Sequence, residues 1–468
     1  MHNDNTEHRV IEDVRAAARL LPPGSRLPSV RELTARHRAS PVTVQRAITR
    51  LAAEGVVDPR PGSGTFVAER AASPAAPSSG DGPADLSWQE VALGGRPTHA
   101  GALDELLRLA GPGELPLSTG YLEPALQPRG ALATALARAG RRETVWDRGP
   151  TAGLPELRAW FARDAGGAFT ADDVLVTAGG QAALATTFRA LAQPGELLLV
   201  ESPTYLGALA AARAAGLRVV PVPSDRDGVR PDLLADAFSR TGSRLFYAQP
   251  TYANPHGAVL APDRRAAVLD VVAAAGAFLV EDDAARDLAI DGDPPPPLAA
   301  DDRHGHVVLL RSLTKSVAPG LRVGAIAARG PAGSRLRAAR LLDDFYVSGP
   351  LQQTAVDLVG SPTWRRHRKQ LRSGLAARRD ALLAALAATL PDAVPLGRPA
   401  GGFHVWVRLP DGVDDVQLAL AARAAGVVVS PGRPWFAAEP PAPFLRLTYA
   451  GAPPRDLTEA ITRLAALI

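Results

Sequence analysis

Between residues 173 and 328, short apolar runs recur at intervals filled by Ala- and Leu-rich segments, and this alternation constrains the fold more than any other feature of the chain. The runs are D-V-L-V-T (173–177), E-L-L-L-V-E (196–201), L-R-V-V-P-V (217–222), R-L-F-Y-A (244–248), A-F-L-V-E-D (277–282), H-V-V-L-L-R (306–311) and V-G-A-I-A-A (323–328). Strands separated by helices predict an α/β fold: a mainly parallel sheet covered on both faces, with ligands bound beyond the C-terminal strand ends. The residues just after each run are therefore where chemistry is expected.

A chain of 468 residues fits two or three domains, and 46% apolar residues suffice for large cores. Cysteine is absent, which excludes disulfides, thiolate metal sites and thiol catalysis, and no metal site is expected. The N-terminus lacks a basic region followed by an apolar core, and no uncharged apolar run reaches about 18 residues, so the expectation is a cytoplasmic protein without a membrane partner.

The first seventy residues follow a different logic. Seven arginines stand between Arg26 and Arg60 against three acids, Glu32, Glu54 and Asp58. In L-P-S-V-R-E-L, Ser29 and Glu32 have capping-box spacing, which predicts a helix from Ser29 to about Arg38. In the next segment Ser40 is an N-cap, Pro41 the first helical residue and Gly55 the stop. Val44, Ala47, Ile48 and Leu51 fall at i, i+3, i+4 and i+7, one buried stripe, opposite Thr43, Gln45, Arg46 and Arg50. V-V-D-P-R-P-G-S-G-T-F-V then reads as a β-hairpin wing whose Arg60 can reach phosphate. A solvated helical hairpin would explain the charges but not two capped helices and a wing in this order, which together predict DNA binding. These strings resemble the winged-helix domain of GntR-type bacterial regulators. The resemblance implies operator binding as a dimer, with Arg31, Thr43, Gln45, Arg46 and Arg60 as contacts and Gly62 and Gly64 shaping the wing.

From Glu69 to Asp85 the chain is Pro, Gly, Ser and Ala without periodicity, a linker. The expected domains are a winged helix-turn-helix at 1–68, the linker at 69–85 and a large domain at 86–468. Within the last, a large part spans about 130–350, and a small part is built from the N-terminal arm and about 351–468.

Five of the seven strand ends of the large domain carry a candidate. T-A-G-G-Q (177–181) leads a strand into a helix through two glycines, which suits a phosphate and equally an ordinary turn. Tyr205 in E-S-P-T-Y could lie on a flat ligand or simply pack. Asn254 precedes a proline and could donate to a ligand oxygen or cap its turn. Asp282 in E-D-D follows an apolar strand and must be partnered or catalytic. In R-S-L-T-K-S-V-A-P-G-L-R-V-G, Lys315 lies three residues beyond Ser312 and seven before Arg322. Only two of the 52 basic residues are lysine. The other, Lys369 in W-R-R-H-R-K-Q, reads as part of a charged helix face. A phosphorylated pyridine aldehyde, pyridoxal 5'-phosphate, accounts for all of these features: only a primary amine condenses with an aldehyde, which a guanidinium cannot replace.

Over roughly Leu86 to Ile468 these motifs resemble the fold-type I aminotransferases of classes I and II, and the whole chain resembles a MocR-type regulator of the GntR superfamily. The resemblance implies that Lys315 holds the cofactor as an aldimine, that Asp282 pairs with the pyridine nitrogen, that Asn254 meets the ring oxygen and that Tyr205 stacks on the ring. Gly180, Gln181, Ser312, Thr314 and Arg322 would hold the phosphate, and Arg446 in P-F-L-R-L-T-Y would clamp an amino-acid carboxylate. It further implies a seven-stranded sheet domain with a small α/β domain, dimeric with shared sites. Two departures stand out. Ala284 and Ala285 occupy the places where the family carries an aromatic hydroxyl, and Trp146 or Arg148 stands near the place of the tyrosine supplied by a partner subunit. The function implied is a regulator that senses the cofactor, an amino acid or an amine; the competing reading is an active aminotransferase with a DNA-binding appendage.

Overall fold

The structure, a computed structural model, describes residues 3–22, 24–60, 64–68, 86, 88–93 and 101–468, apart from the side chains of 3–5, 19, 20, 53, 90, 91, 101 and 102. The linker expected at 69–85 and Gly62 lie outside the described residues. The chain divides into two compact units, Met1–Arg96 and Pro97–Ile468. Among the described residues no helix is long and apolar enough to cross a membrane.

The first unit contains helices α1 (Asn3–Leu20), α2 (Val30–His37) and α3 (Pro41–Ala53), followed by strands β1 (Val57–Arg60) and β2 (Gly64–Val67). The capping box is formed: Glu32 N–H donates to Ser29 Oγ at 3.3 Å, and Ser29 N–H donates to the Glu32 carboxylate at 2.7 Å. Arg38, with φ 47°, ends α2 in the left-handed conformation. Ser40 Oγ accepts from Thr43 N–H at 3.1 Å, and Pro41 opens α3. Val44, Ala47, Ile48 and Leu51 are all buried. β1 and β2 pair antiparallel from Val57↔Val67 to Arg60↔Gly64, so the wing is present. Helix α1 lies ahead of the first helix expected from the sequence; it adds Val10, Ile11 and Val14 to the same core, with Ala17 and Ala18 packed against them.

In the second unit the arm strand β3 (Leu115–Pro116) precedes β4 (Val174–Thr177), β5 (Leu197–Ser202), β6 (Arg218–Asp225), β7 (Gly228–Val229), β8 (Leu245–Ala248), β9 (Phe278–Asp282), β10 (Val307–Ser312) and β11 (Gly324–Ala327). They form a sheet in the order β4-β11-β10-β9-β8-β5-β6-β7, without β3. Each of the seven expected runs is a strand. The eighth, β7, is a two-residue return after a hairpin at Arg226–Asp227 and is too short to show a pattern in the sequence. The pairs β10–β9, β9–β8, β8–β5 and β5–β6 are parallel, whereas β11 runs antiparallel to both β10 and β4. Apolar side chains pack into one core on each face of the sheet, as a doubly covered parallel sheet requires.

A second sheet, β12 (Val394–Pro395), β13 (His404–Arg408), β15 (Ser430–Pro431) and β16 (Phe444–Thr448), packs on the helices Pro362–Thr389 and Pro454–Ala465 around a third core. The arm joins this part directly, because β3 pairs in parallel with β14 (Val427–Val428).

Candidate functional site

The C-terminal ends of β9 and β10 bring Asp282 and the segment Ser312–Lys315 to one edge of the large sheet, and register places Asp282 beside Leu310. Asp282 is buried; Tyr247 Oη donates to its Oδ2 at 2.7 Å and Gln249 Nε2 donates to the same oxygen at 2.9 Å. Burial pushes its carboxyl up, against those two donors. Both bonds use one oxygen, so the other retains its lone pairs for a cationic or N–H partner.

Lys315 Nζ donates to the Gly120 carbonyl at 2.8 Å and lies 4.3 Å from the centroid of the Tyr121 ring. Burial lowers its amine from 10.5 to about 8; Arg446 and Arg322 push in the same direction and Asp282 opposes them. Tyr121 and Gly120 belong to the arm and were not singled out in the sequence. G-Y carries no local signal, and only the fold brings it to Lys315.

A cradle for an anion lies next to the lysine. The helix Gly180–Leu191 starts without a side-chain cap at Gly179, so its first N–H groups are left for another acceptor. Ser312 packs against this end: a Cβ at Gly180 would sit 3.6 Å from Ser312 Cβ. Thr314 Oγ1 is buried with no partner. Arg322 donates to the Ala178 carbonyl at 2.8 Å and, among the described residues, has no carboxylate partner. Gly179, at φ 87°, is required by this approach, since a Cβ there would stand 2.7 Å from Arg322 Nη2. An orphaned hydroxyl, an uncapped helix end and an arginine without an acid fit a phosphate.

Tyr205 and Gln181 meet: the phenol donates to Gln181 Oε1 at 3.3 Å, and Gln181 Nε2 donates to the Gly207 carbonyl at 3.0 Å. The Gln181 side chain is thus held by protein, which leaves its backbone N–H, at the helix start, as its group for an anion. Burial pushes the Tyr205 phenol upward, so it is a neutral donor at pH 7.

Arg446 is 1% exposed and has no carboxylate partner among the described residues. Its guanidinium stacks over Trp435 at 4.4 Å, donates to Asn254 Oδ1 at 3.3 Å and to the Ser118 carbonyl, and leaves Nε unpartnered. Burial lowers it to about 9. A buried cation with no counter-charge is costly, and the site is complementary to a carboxylate. His404, also missed in the sequence, lies two residues along β13 from Trp406, which pairs with Arg446, so all three side chains share one face. It is buried with Nδ1 unpartnered, and burial together with Arg446 and Lys315 holds it well below the usual histidine range. The expected aromatic hydroxyl after Asp283 is absent: Ala284 and Ala285 are half-buried. Trp146 is 69% exposed and donates to the Gly140 carbonyl.

In the first unit, Arg31, Gln45 and Arg46 are exposed on α2 and α3. Arg46 lies 3.9 Å from Glu7, and Arg60 is held by Asp58 at 2.9 Å and over Phe66 at 4.8 Å. Thr43 corrects the expectation. It is 1% exposed, because the buried stripe of α3 is two residues wide near its start, and its hydroxyl bonds Ser40 Oγ at 2.8 Å, so it cannot reach a base. Val42, 66% exposed, takes the outward position beside Gln45 and Arg46.

Residues 117–464 match the family profile of class I and II aminotransferases. The chain belongs to that family. This aminotransferase-family chain also matches, over residues 4–67, the gntR family of bacterial regulatory proteins, so it is a GntR-type regulator domain fused to an aminotransferase-like domain, the arrangement of the MocR-type regulators. It is 28% identical over 456 residues, covering 95% of each chain, to the uncharacterized HTH-type transcriptional regulator YdcR of Escherichia coli. It is 32% identical over 386 residues, covering 81% of this chain and 96% of the other, to the 2-aminoadipate transaminase of Thermus thermophilus. Its structure matches that of LysN, the α-aminoadipate aminotransferase of Thermus thermophilus complexed with N-(5'-phosphopyridoxyl)-L-leucine, with a TM-score of 0.75 and 30% identity over 82% of this chain and 98% of the other.

Proposed function

We propose that this aminotransferase-family chain is a transcriptional regulator that binds operator DNA as a homodimer and senses pyridoxal 5'-phosphate, or an amino acid or amine joined to it, through Lys315. When bound, the cofactor supplies an aldehyde carbon that condenses with a primary amine and a ring that withdraws electrons. The chain's own residues supply the rest. Gly180, Gln181, Ser312, Thr314 and Arg322 would hold the phosphate, Asp282 would accept from the ring nitrogen, Asn254 would donate to the ring oxygen and Tyr205 would cover the ring. Lys315 supplies the amine, and with its proton affinity lowered to about 8 a useful fraction of that amine is free near neutral pH.

The observation that carries the reading is Arg446: a buried guanidinium that has no acid partner among the described residues and lies near enough to the Lys315 amine to lower its proton affinity. That pair recognises a carboxylate and an aldehyde-derived centre together, which is the signature of an amino acid on the cofactor. The winged helix, with Arg31, Gln45, Arg46 and Arg60 on its surface, makes the output DNA binding.

A working aminotransferase is the second reading, favoured by the transaminase relative and by the survival of Lys315, Asp282 and Arg446 together. Titrating the cofactor-loaded chain with amino acids and amines while following visible absorbance, then assaying keto acid, separates the two. The sensor reading expects a spectral change without sustained product; multiple turnovers of keto acid would overturn it in favour of the enzyme.

A further inference from the structure

Between Asp357 and Asp380 the chain carries seven cations and no acid. They lie on the helix Pro362–Thr389, and their fates differ. Further along, Arg378 pairs with Glu123 at 2.5 Å and Arg379 with Asp291 at 2.6 Å; Arg372 reaches Asp293 at 2.8 Å and Arg368 reaches Asp287 at 3.6 Å. Arg365, Arg366 and Lys369 remain exposed, and among the described residues they have no carboxylate partner. Their spacing of i, i+1 and i+4 puts them on one face, while Trp364, His367 and Leu371 anchor the opposite face in protein. Arg129, exposed and without a carboxylate partner among the described residues, lies across a cleft of about 530 Å³, whose wall also includes Arg366, His367 and Gln127. Like charges at these spacings disfavour the helix, and the chain pairs most of its other arginines on this helix with acids. A face of this kind, rigidly mounted and uncompensated, is complementary to a polyanion.

We infer that Arg365, Arg366, Lys369 and Arg129 form a second DNA-contacting surface, on the aminotransferase-like unit, that engages phosphates flanking the operator. The inference rests on the DNA-binding reading above, which makes DNA the polyanion the chain meets. Arginine and lysine contacts to phosphate carry no sequence information, so this surface adds affinity and salt dependence without adding base specificity.

The test uses the full, cofactor-loaded chain and a duplex that it selects from a random pool, prepared as a core of about 20 base pairs, two half-site spacings, and as the same core within a fragment three times as long. Affinity is measured against salt for the wild type, for Arg365→Ser/Arg366→Ser/Lys369→Ser and for Arg46→Ala. The expected result is that the triple variant loses about two to three units of salt slope on the long fragment, about one per phosphate contact, and none on the core. Arg46→Ala should lose affinity on both. No selective binding to either duplex by the wild type would defeat the DNA-binding reading itself. An unchanged slope for the triple variant on the long fragment, with the core still bound, would overturn the second surface alone. So would a variant that loses its dimer, which would make the patch a subunit contact, or a variant whose only loss is retention on vesicles of anionic lipid, which would make it a membrane contact. Visible absorbance of the bound cofactor checks that the variant is folded.

Discussion

The Lys315 amine lies 4.3 Å from the centre of the Tyr121 ring while it donates to the Gly120 carbonyl. The ring face favours the ammonium form, burial disfavours it, and burial wins, leaving the amine at about 8. Cofactor capture by the cofactor-free chain should therefore rise with pH around a midpoint near 8 instead of 10.5, with about a tenth of the amine already free at pH 7. Tyr121→Leu removes the ring and should move that midpoint down by about half a unit, whereas Tyr121→Phe should not. The stability consequence has a definite sign. The unfolded lysine holds its proton more tightly than the folded one, so this group makes the cofactor-free fold more stable as pH rises from about 8 to 10.5. Stopped-flow absorbance and denaturation across that window check both.

Arg446 is buried over Trp435 with no acid to neutralise it among the described residues. Replacing it by methionine, which fills similar volume without the charge, should leave the melting temperature of the ligand-free chain unchanged or higher. The same change should weaken any spectral response to amino acids on the order of a hundredfold while sparing the response to simple amines, which have no carboxylate. A calorimetric melt and an absorbance titration read the two effects separately.

Gly179 should tolerate no side chain. At φ 87°, with Arg322 Nη2 only 2.7 Å from the place of a Cβ, Gly179→Ala both strains the backbone and displaces the arginine of the cradle. The expected cost is about 1–2 kcal/mol of stability. Cofactor release, followed by loss of visible absorbance on dilution, should be about tenfold faster, the loss of one charge-assisted contact.

Two residues three apart in sequence should behave differently in the winged helix. Thr43 is buried and bonded to the Ser40 cap, so Thr43→Ala should lower the stability of the N-terminal unit, and Ser40→Ala should cost about 1 kcal/mol for the same reason. Exposed Arg46 should leave stability unchanged when replaced by alanine and reduce the salt slope of DNA binding by about one unit. Thermal melts and binding isotherms at several salt concentrations distinguish the two.

Local rules carried much of this structure. Capping residues, stripe spacing and strand runs each depend on neighbours within a few positions, so α2, α3, the wing and the seven main strands could be read directly. What failed was what the fold assembles from afar. A buried stripe two residues wide at the start of α3 took in Thr43, and α1 itself had too narrow an apolar stripe to register. Gly120 comes to Lys315 from 195 residues away, with Tyr121 beside it, and His404 joins Arg446 only through the β13–β16 register. Among the candidate site residues, those after strands of the large sheet could be named because a parallel sheet dictates where its ligand sits; of those contributed by the arm and the small sheet, only Arg446 was named, through the family resemblance, and Gly120, Tyr121 and His404 were not.

Chemistry at Lys315 should change the affinity of the chain for DNA. Fluorescence anisotropy of a labelled duplex selected by the protein, measured with the cofactor-loaded wild type and with Lys315→Ala, each with and without an amino acid that alters the wild-type spectrum, tests it most directly. An affinity that shifts by about tenfold in the wild type, a coupling of ordinary size, and stays fixed in the variant is the expected result. Equal affinity in all four measurements, with the amino acid visibly bound, would contradict it.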